Sequence, residues 1–187
     1  KTVLISPLMV PPASVVLIWQ VLFHYNGTVN AFLERFGIDK IDFFKSDYCL
    51  IIIVLLFLWK NIGYNMILFM SALAAIPGDI TEACMLDGAG PTRVFFKIKL
   101  PYISSTVLFV TILSLISSFK IFREVYLMTG RYPYERLYML QHFMNNTFES
   151  LDYQKLSAAA IIMCAVMIVL IGALFIIDDK LGRDIES

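Results

Sequence analysis

Long stretches without charge constrain the folding of this chain more than any other feature of its sequence. Residues 3–23 and 156–177 contain no charged side chain, and residues 48–76 contain only Lys60. A helix that crosses the hydrocarbon core of a bilayer needs about 20 apolar residues. Residues 102–128 are also long enough, although three charges lie towards their end. The sequence therefore predicts four membrane spans, at about these four ranges.

The continuity of these blocks favours helices over a transmembrane barrel, whose strands are about 10 residues long and alternate in polarity. Lipid offers no hydrogen-bond partner to the backbone, so a spanning segment has to satisfy its own polar groups. Composition agrees, because 59% of the residues are hydrophobic and 16% are charged, whereas about a quarter are charged in soluble domains. The predicted fold class is all-α, a polytopic helical membrane protein with four transmembrane spans in this chain.

Several kinds of site are not indicated by the sequence. The formal net charge is +0, which gives no reason to expect a nucleic-acid partner. The cysteines and histidines are too scattered for a metal site. These residues are Cys49, Cys84, Cys164, His24 and His142. The sequence has no G-x-x-x-x-G-K run that could cradle the phosphates of ATP. We therefore predict no metal, no nucleic acid and no cofactor for this chain.

The loop between the second and third spans, residues 77–101, is richer in helix signals than a simple connector. Pro77 and Gly78 interrupt the preceding span. Asp79, with Glu82 three residues later, predicts the N-terminal cap of a short helix. A short surface helix is therefore expected directly after the second span.

The second half of this loop predicts a turn and another short helix. Gly88 and Gly90 permit a left-handed backbone and leave the chain open to close approach. Pro91 is placed to begin a helix, and Pro101 reopens a span. We predict a compact helix-turn-helix at the membrane surface, for which a mere interfacial connector is the alternative interpretation.

The residues of this loop resemble a known pattern. In binding-protein-dependent ABC importer permeases, the signature loop reads Glu-Ala-Ala, three residues, Gly, and later Ile-x-Leu-Pro. This chain has Glu-Ala-Cys at 82–84, Asp-Gly-Ala at 87–89 and Ile-Lys-Leu-Pro at 98–101. Cys84 stands where the family has Ala, a small change between compact apolar residues. The chain resembles the inner-membrane permease subunit of these importers.

The resemblance extends to the sugar-uptake branch of the family over nearly the whole chain. Residues 59–63 and 72–77 resemble the span before the signature loop in that branch. After Thr-Gly at 129–130, many members continue Gly-Gly-Pro, whereas this chain has Arg-Tyr-Pro at 131–133. This departure leaves the solute open, since oligosaccharide, monosaccharide and glycerol-phosphate carriers share the scaffold.

The resemblance implies a six-span permease in the bacterial inner membrane, two of whose spans would precede this chain. Residues 1–187 would then be one transmembrane domain that is incomplete at its N-terminus. The signature loop, 77–101, and the C-terminus would be cytoplasmic. Lysines and arginines divide evenly between the two sides, so the positive-inside rule leaves the orientation open.

The implied function is that of a transport subunit rather than an enzyme. The chain would form the translocation path for a carbohydrate or related polar solute and couple to a separate ATPase, which binds ATP and Mg. The expected partners are a second permease subunit, ABC ATPase subunits, an extracytoplasmic solute-binding protein and membrane lipid. The implied coupling residues are Glu82, Ala83, Cys84, Asp87, Gly88, Ala89, Gly90, Phe96, Leu100 and Pro101.

Polar residues within the spans predict a solute path, since a charge at a helix centre costs about 2.5–3.5 kcal/mol on insertion scales. The residues of this predicted path are Lys60, Tyr64, Asn65, Lys120, Arg123 and Glu124. For each residue alone, the alternative is structural. Lys60 would snorkel or pair with a carboxylate outside this chain, and Arg123 would pair with Glu124 or Asp152. As a set, they favour a water-accessible cavity.

A secondary transporter driven by an ion gradient is the alternative function. It would use Lys60, Arg123 and Glu124 as coupling charges, but it leaves the ordered loop unexplained, and the spans show no inverted repeat. An intramembrane enzyme would need a nucleophile and base or a metal cluster within the spans, and the sequence indicates neither.

Overall fold

The computed structural model describes residues 10–86 and 88–186, and for residues 178 and 180–186 it describes the backbone only. Within these ranges the chain is helical and contains no strand, so the predicted all-α class is confirmed. The helices in chain order are α1 Pro12–Phe23, α2 Thr28–Arg35, α3 Cys49–Ala74, α4 Gly78–Leu86, α5 Pro91–Val94, α6 Leu100–Tyr102, α7 Ser104–Lys120, α8 Phe122–Thr129, α9 Leu140–Glu149 and α10 Tyr153–Glu186.

Three helical segments are long and apolar enough to cross a membrane: Cys49–Ala74, Ser104–Thr129 and Tyr153–Ile177. The second of these comprises α7 and α8. Few residues of these three segments are buried within the described chain, as expected for surfaces that meet lipid or other subunits.

The prediction of four spans is not confirmed. The first predicted span, 3–23, begins in residues that lie outside the described part of the chain. Its described part, α1, has 12 residues, which is short of the length of about 20 that crosses a bilayer.

The chain forms two compact units by its internal contacts. Unit 1 comprises the described residues of Lys1–Gly63 together with Ser117–Ala165. Unit 2 comprises those of Tyr64–Ile116 and Val166–Ser187.

The core of unit 1 joins α1, α3 and α8. Cys49, Ile53 and Leu56 follow one another at spacings of four and three residues, which places them on one face of α3. They pack with buried residues of the other elements, namely Val15, Val16, Val125, Met128 and Leu137. These apolar side chains thus form the core that holds unit 1 together.

Asn30 organises the loop between α1 and α3. Its side chain is fully buried. Nδ2 donates to the carbonyl oxygens of His24, Tyr25 and Ile41 at 3.3, 3.0 and 2.8 Å, and Oδ1 accepts from the backbone N–H of Ile41 at 3.0 Å. Gly27 is required nearby, since a Cβ there would lie 2.4 Å from the carbonyl oxygen of Val21. This loop is therefore an ordered part of unit 1.

His142 occupies an aromatic cage at the start of α9. Its ring is fully buried, with ring centroids 4.9 Å from Phe122, 6.1 Å from Tyr126 and 5.6 Å from Tyr138. Nδ1 accepts from the backbone N–H of Met139 at 3.2 Å, while Nε2 has no hydrogen-bond partner. Burial lowers the pKa of His142 from its ordinary value of 6.5.

Stability of the protein should therefore decrease as the pH falls below about 6.5. Below that value the unfolded chain takes up a proton at His142 that the folded chain resists, so protonation favours unfolding. We expect a His142→Asn variant, which keeps an acceptor near Met139, to lose this part of the pH dependence. Thermal unfolding of the full-length protein in detergent between pH 5 and 8 measures it. Parallel curves for both proteins would contradict the role of His142.

Candidate coupling loop and solute path

The first short helix of the loop, α4, projects its side chains outwards. None of its residues is buried, and Leu86 and Met85 are 89% and 55% exposed. The helix begins at Gly78, one residue before the predicted cap, so Asp79 lies in the first turn instead of capping it. There its carboxylate still faces the positive end of the helix dipole. Sequence reasoning overlooked Leu86, because the family pattern directs attention to Glu82 and Gly88.

The end of α4 is a Schellman motif, as the glycines predicted. The N–H of Ala89 donates to the carbonyl of Cys84 at 3.0 Å, and the N–H of Gly88 donates to that of Met85 at 3.0 Å. Gly88 has φ +79°, and a Cβ built on it would meet no atom of the described part of the chain within 4 Å. The predicted role of Asp87 lies outside the described residues. The left-handed turn therefore presents bare backbone to its surroundings.

The second half of the loop is a helix with a wide turn in it. Pro91 is the first residue of α5, directly after Gly90. Phe95–Lys99 then forms a π-helical turn in which the N–H of Leu100 donates to the carbonyl of Phe95. Pro101 follows, and because it has no N–H, the ordinary α-helical ladder loses a bond there.

The predicted coupling residues that the structure describes lie together in unit 2, on or beside these short helices. Ala83, Gly88 and Gly90 are exposed, while Cys84 and Ala89 are half-buried. Glu82 and Phe96 are also exposed, Phe96 by 60%. Leu100 and Pro101 lie at the end of the loop, before α7. The surface they form is mostly open to a partner.

A partly buried ion pair joins two residues of the predicted solute path. Lys60 Nζ of α3 contacts Glu124 Oε1 of α8, and the two side chains are 25% and 4% exposed. The structural alternatives were that Lys60 snorkels or pairs with a carboxylate outside this chain, and that Arg123 pairs with Glu124 or Asp152. The structure instead pairs Lys60 with Glu124 inside unit 1.

A cavity of about 180 Å³ adjoins this pair, and we call it the Lys60 cavity. Its polar lining consists of Lys60, Asn61, Ser117, Lys120 and Glu124. The structure thus brings together three of the predicted path residues and adds Asn61 and Ser117, which the sequence analysis had not selected. Their positions close to Lys60 and Lys120 in the sequence were the available signal.

The other predicted path residues lie elsewhere. Arg123 is exposed and does not line the Lys60 cavity. Tyr64 and Asn65 belong to unit 2, where Asn65 Nδ2 donates to Ser114 Oγ at 3.1 Å. The predicted set therefore does not form one cluster.

A larger hollow of about 720 Å³, which we call the loop cleft, was missed by the sequence analysis. It lies in unit 1 and is lined by residues from 20–28, 44–45 and 128–134. Gln20 Nε2 donates to the carbonyl of Met128 at 2.8 Å and fixes two of its walls. In the sequence, the departure from the family pattern at 131–133 was the one feature that indicated the loop cleft.

Comparison with known proteins identifies the family. Residues 1–187 match the family described as binding-protein-dependent transport system inner membrane component. The chain belongs to this family. Among curated members, it is 37% identical over 120 residues to the sn-glycerol-3-phosphate transport system permease protein UgpA of Escherichia coli O157:H7, covering 64% of this chain and 41% of that protein.

A second relative and two solved structures extend the comparison. The UgpA protein of Shigella dysenteriae serotype 1 is 31% identical over 173 residues, which cover 91% of this chain and 59% of that protein. The chain thus spans about half the length of these relatives. The fold also matches a bacterial ABC transporter involved in the import of the acidic polysaccharide alginate, with TM-score 0.85, 20% identity and coverage of 96% of this chain and 64% of that chain. The same kind of transporter in complex with an alginate pentasaccharide-bound periplasmic protein gives TM-score 0.81 at 20% identity, covering 97% and 65%.

Proposed function

We propose that this chain is part of the permease subunit of an ATP-driven importer, and that α4 docks on a separate ATPase subunit. The observation that carries the proposal is α4 itself. It is a short helix with no buried residue, placed between two helices long enough to span a membrane. Apolar side chains such as Leu86 are exposed outside the spans, and contiguous exposed apolar surface indicates a binding site.

The connections of α4 to its neighbouring helices are short enough for α4 to transmit a displacement to them. Only three residues separate the end of α3 at Ala74 from the start of α4 at Gly78. At its other end, the Schellman motif at Gly88 leads within three residues to Pro91 of α5. A short, hydrogen-bonded connection can move as a rigid element, whereas a long flexible loop would absorb the displacement.

ATP binding and hydrolysis would be carried out by the separate ATPase subunit. The ATPase would bind ATP and Mg, and this chain, with a second permease subunit, would form the path for a carbohydrate or related polar solute delivered by an extracytoplasmic binding protein. The loop 77–101 and the C-terminus would face the cytoplasm from the inner membrane. The family membership supports this division of work, and the relatives named for glycerol phosphate and alginate transport handle polar solutes.

A carrier driven by an ion gradient is the second candidate, and one observation favours it. Lys60 and Glu124 form an ion pair within helices that are long enough to span the membrane. Intramembrane ion pairs of this kind occur in proton and ion relays. Such a carrier would need no docking helix.

Co-purification with the ATPase tests the proposal. The full-length permease, its partner permease and the candidate ATPase would be co-expressed with either wild-type sequence or Leu86→Glu. A charge placed at a desolvated interface anchor should weaken ATPase binding by about 2 kcal/mol, or roughly 30-fold.

The matched control is Leu86→Met, which keeps an apolar side chain and should retain the ATPase. Retention of the ATPase by Leu86→Glu would remove α4 from the interface. If the wild-type permease never binds an ATPase, the importer is excluded and the gradient-driven carrier becomes the better explanation.

A further inference from the structure

Helix α9 carries its polar side chains on the side that faces the rest of unit 1. Gln141 Nε2 donates to the carbonyl of Phe119 at 3.2 Å. Asn146 Nδ2 donates to the carbonyl of Arg131 at 3.3 Å, and the carboxylate of Glu149 pairs with the side chain of Arg131. Because each residue of an α-helix turns the chain by about 100°, these three polar side chains lie on one half of the helix. The polar half of α9 is therefore bonded to other parts of the protein.

The opposite half of α9 is apolar and faces outwards. Leu140, Met144 and Phe148 follow one another at spacings of four residues, which places them on one face. Phe143 lies beside this face. Leu140, Phe143 and Phe148 are 38%, 37% and 55% exposed. A surface helix of a soluble protein turns its apolar face to the core and its polar face to water. Since α9 has the reverse arrangement, its outer face is suited to apolar surroundings.

The apolar surface continues past the end of α9 with Leu151, whose side chain is 67% exposed. Leu151 has φ +60° in the Schellman motif that ends the helix, where the N–H of Asp152 donates to the carbonyl of Thr147 at 3.2 Å. This left-handed backbone is disfavoured for a residue with a side chain, and glycine is the usual residue there. Strained residues of this kind cluster at functional positions. The exposed side chain of Leu151 therefore indicates a contact with something outside the described chain.

The position of this surface in the chain favours lipid as its partner. The segment Tyr153–Ile177 begins two residues after Leu151 and has 25 residues. Its helical length of about 37 Å exceeds the hydrocarbon core of about 30 Å, so its ends reach the headgroup region. The ring centroids of Phe148 and Tyr153 are 6.5 Å apart. The outer face of α9 therefore lies close to the depth at which this segment begins.

The charges near this face are paired with one another. Glu149 pairs with Arg131, and Asp152 pairs with Lys155 at 2.8 Å. The surface that remains consists of Phe and Leu side chains, which are typical of the apolar face of helices that lie in a membrane boundary. Tyr153 adds a residue type that is enriched at such boundaries.

We propose that α9 lies in the boundary between lipid headgroups and acyl chains, with Phe148 and Leu151 inserted among the chains. Amphipathic helices of this kind bury their apolar face about 5–10 Å into that boundary. The proposal goes beyond the proposed transport function and requires only that the segment Tyr153–Ile177 spans the membrane. Because α9 holds Arg131 through two side chains, the bilayer also positions the wall of the loop cleft that residues 128–134 form.

Fluorescence quenching tests the proposal. The full-length permease, with all native cysteines replaced by Ala, would be reconstituted with its partner permease in phosphatidylcholine nanodiscs. A bimane label would be attached in the variants Phe148→Cys and Leu151→Cys. The quenchers are phosphatidylcholine with a nitroxide near the headgroup end of its acyl chain, and iodide in the water. We expect both labels to lose most of their fluorescence to the lipid nitroxide and little to iodide.

Glu135→Cys is the control, since Glu135 is an exposed charged residue of unit 1. Its label should be quenched by iodide and little by the lipid nitroxide. Because the two test positions are labelled separately, failure of one variant to fold leaves the other to decide.

Three outcomes would overturn the proposal. Quenching of both labels by iodide, as at Glu135, would mean that the face meets water. Lipid quenching that is present in the permease alone and disappears with the partner permease would assign the face to that subunit. Lipid quenching that disappears on addition of the solute-binding protein would assign it to that protein. None of these outcomes depends on an ATPase, so the proposed function is tested separately.

Discussion

Replacing Lys60 by Met is expected to lower the free energy of unfolding of the permease by about 3–5 kcal/mol. The substitution leaves the carboxylate of Glu124, with a side chain only 4% exposed, without its cation. Both residues lie in helices long enough to span a membrane, where an uncompensated charge is costly. Unfolding of the purified full-length protein in detergent measures the loss.

The double variant Lys60→Met/Glu124→Leu tests whether the loss of stability comes from the unpaired carboxylate of Glu124. Replacing a buried ion pair by apolar side chains is often neutral or stabilising, so the double variant should recover most of the stability lost by Lys60→Met alone. Lys155→Met breaks an exposed pair with Asp152 and should change stability little. Equal losses in the single and double variants would mean that the contact between Lys60 and Glu124 does not govern stability.

Replacing Gly88 by Trp is expected to abolish stimulation of the ATPase while the permease stays folded. Gly88 has φ +79°, which costs a residue with a side chain roughly 1–2 kcal/mol. A Cβ at this position meets no atom of the described residues within 4 Å. Gly88→Ala carries the same backbone strain with little bulk, so we expect a further loss in Gly88→Trp to reflect a clash of the indole ring with a partner. Binding-protein-stimulated ATP hydrolysis by the full assembly measures it.

Gly37 provides a control with the same backbone geometry. It has φ +75°, has open space around it and ends α2 in a Schellman motif in unit 1. Gly37→Trp introduces the same strain and bulk away from the coupling loop, so ATP hydrolysis should remain close to wild type. Equal loss in Gly37→Trp and Gly88→Trp would attribute the effect to backbone strain and not to docking.

The elements that could be predicted from the sequence are those set by local composition. An apolar run such as 156–177 is apolar on every face, so it indicates a helix in lipid without knowledge of its neighbours. The turn after α4 could also be predicted from local sequence, since glycine, here Gly88, is the residue type that favours a left-handed helix end. A cap at Asp79 would start the helix at Ile80, whereas α4 begins two residues earlier, at Gly78, because helix ends are weakly specified by sequence.

The features that escaped prediction depend on residues far apart in the chain. Lys60 and Glu124 are separated by 64 positions, and nothing local to either residue identifies the other as its partner. The loop cleft combines three segments, 20–28, 44–45 and 128–134, whose approach depends on the packing of α1 against α8. Ion pairs and cavities of this kind depend on tertiary packing, which the local composition of a segment does not reveal.

The wide turn at Phe95–Lys99 has a geometric consequence for the segment between α4 and α7. A π-helical turn contains one residue more than the α-helical turn it replaces, so it is a dislocation in the helix. Each residue of an α-helix turns the chain by about 100°. If the dislocation moves by a few positions, the side chains it passes, such as Phe95 and Phe96, rotate around the axis while the helix keeps its length. The side chains on the surface of this segment can therefore rotate about its axis without any change in the length of the segment.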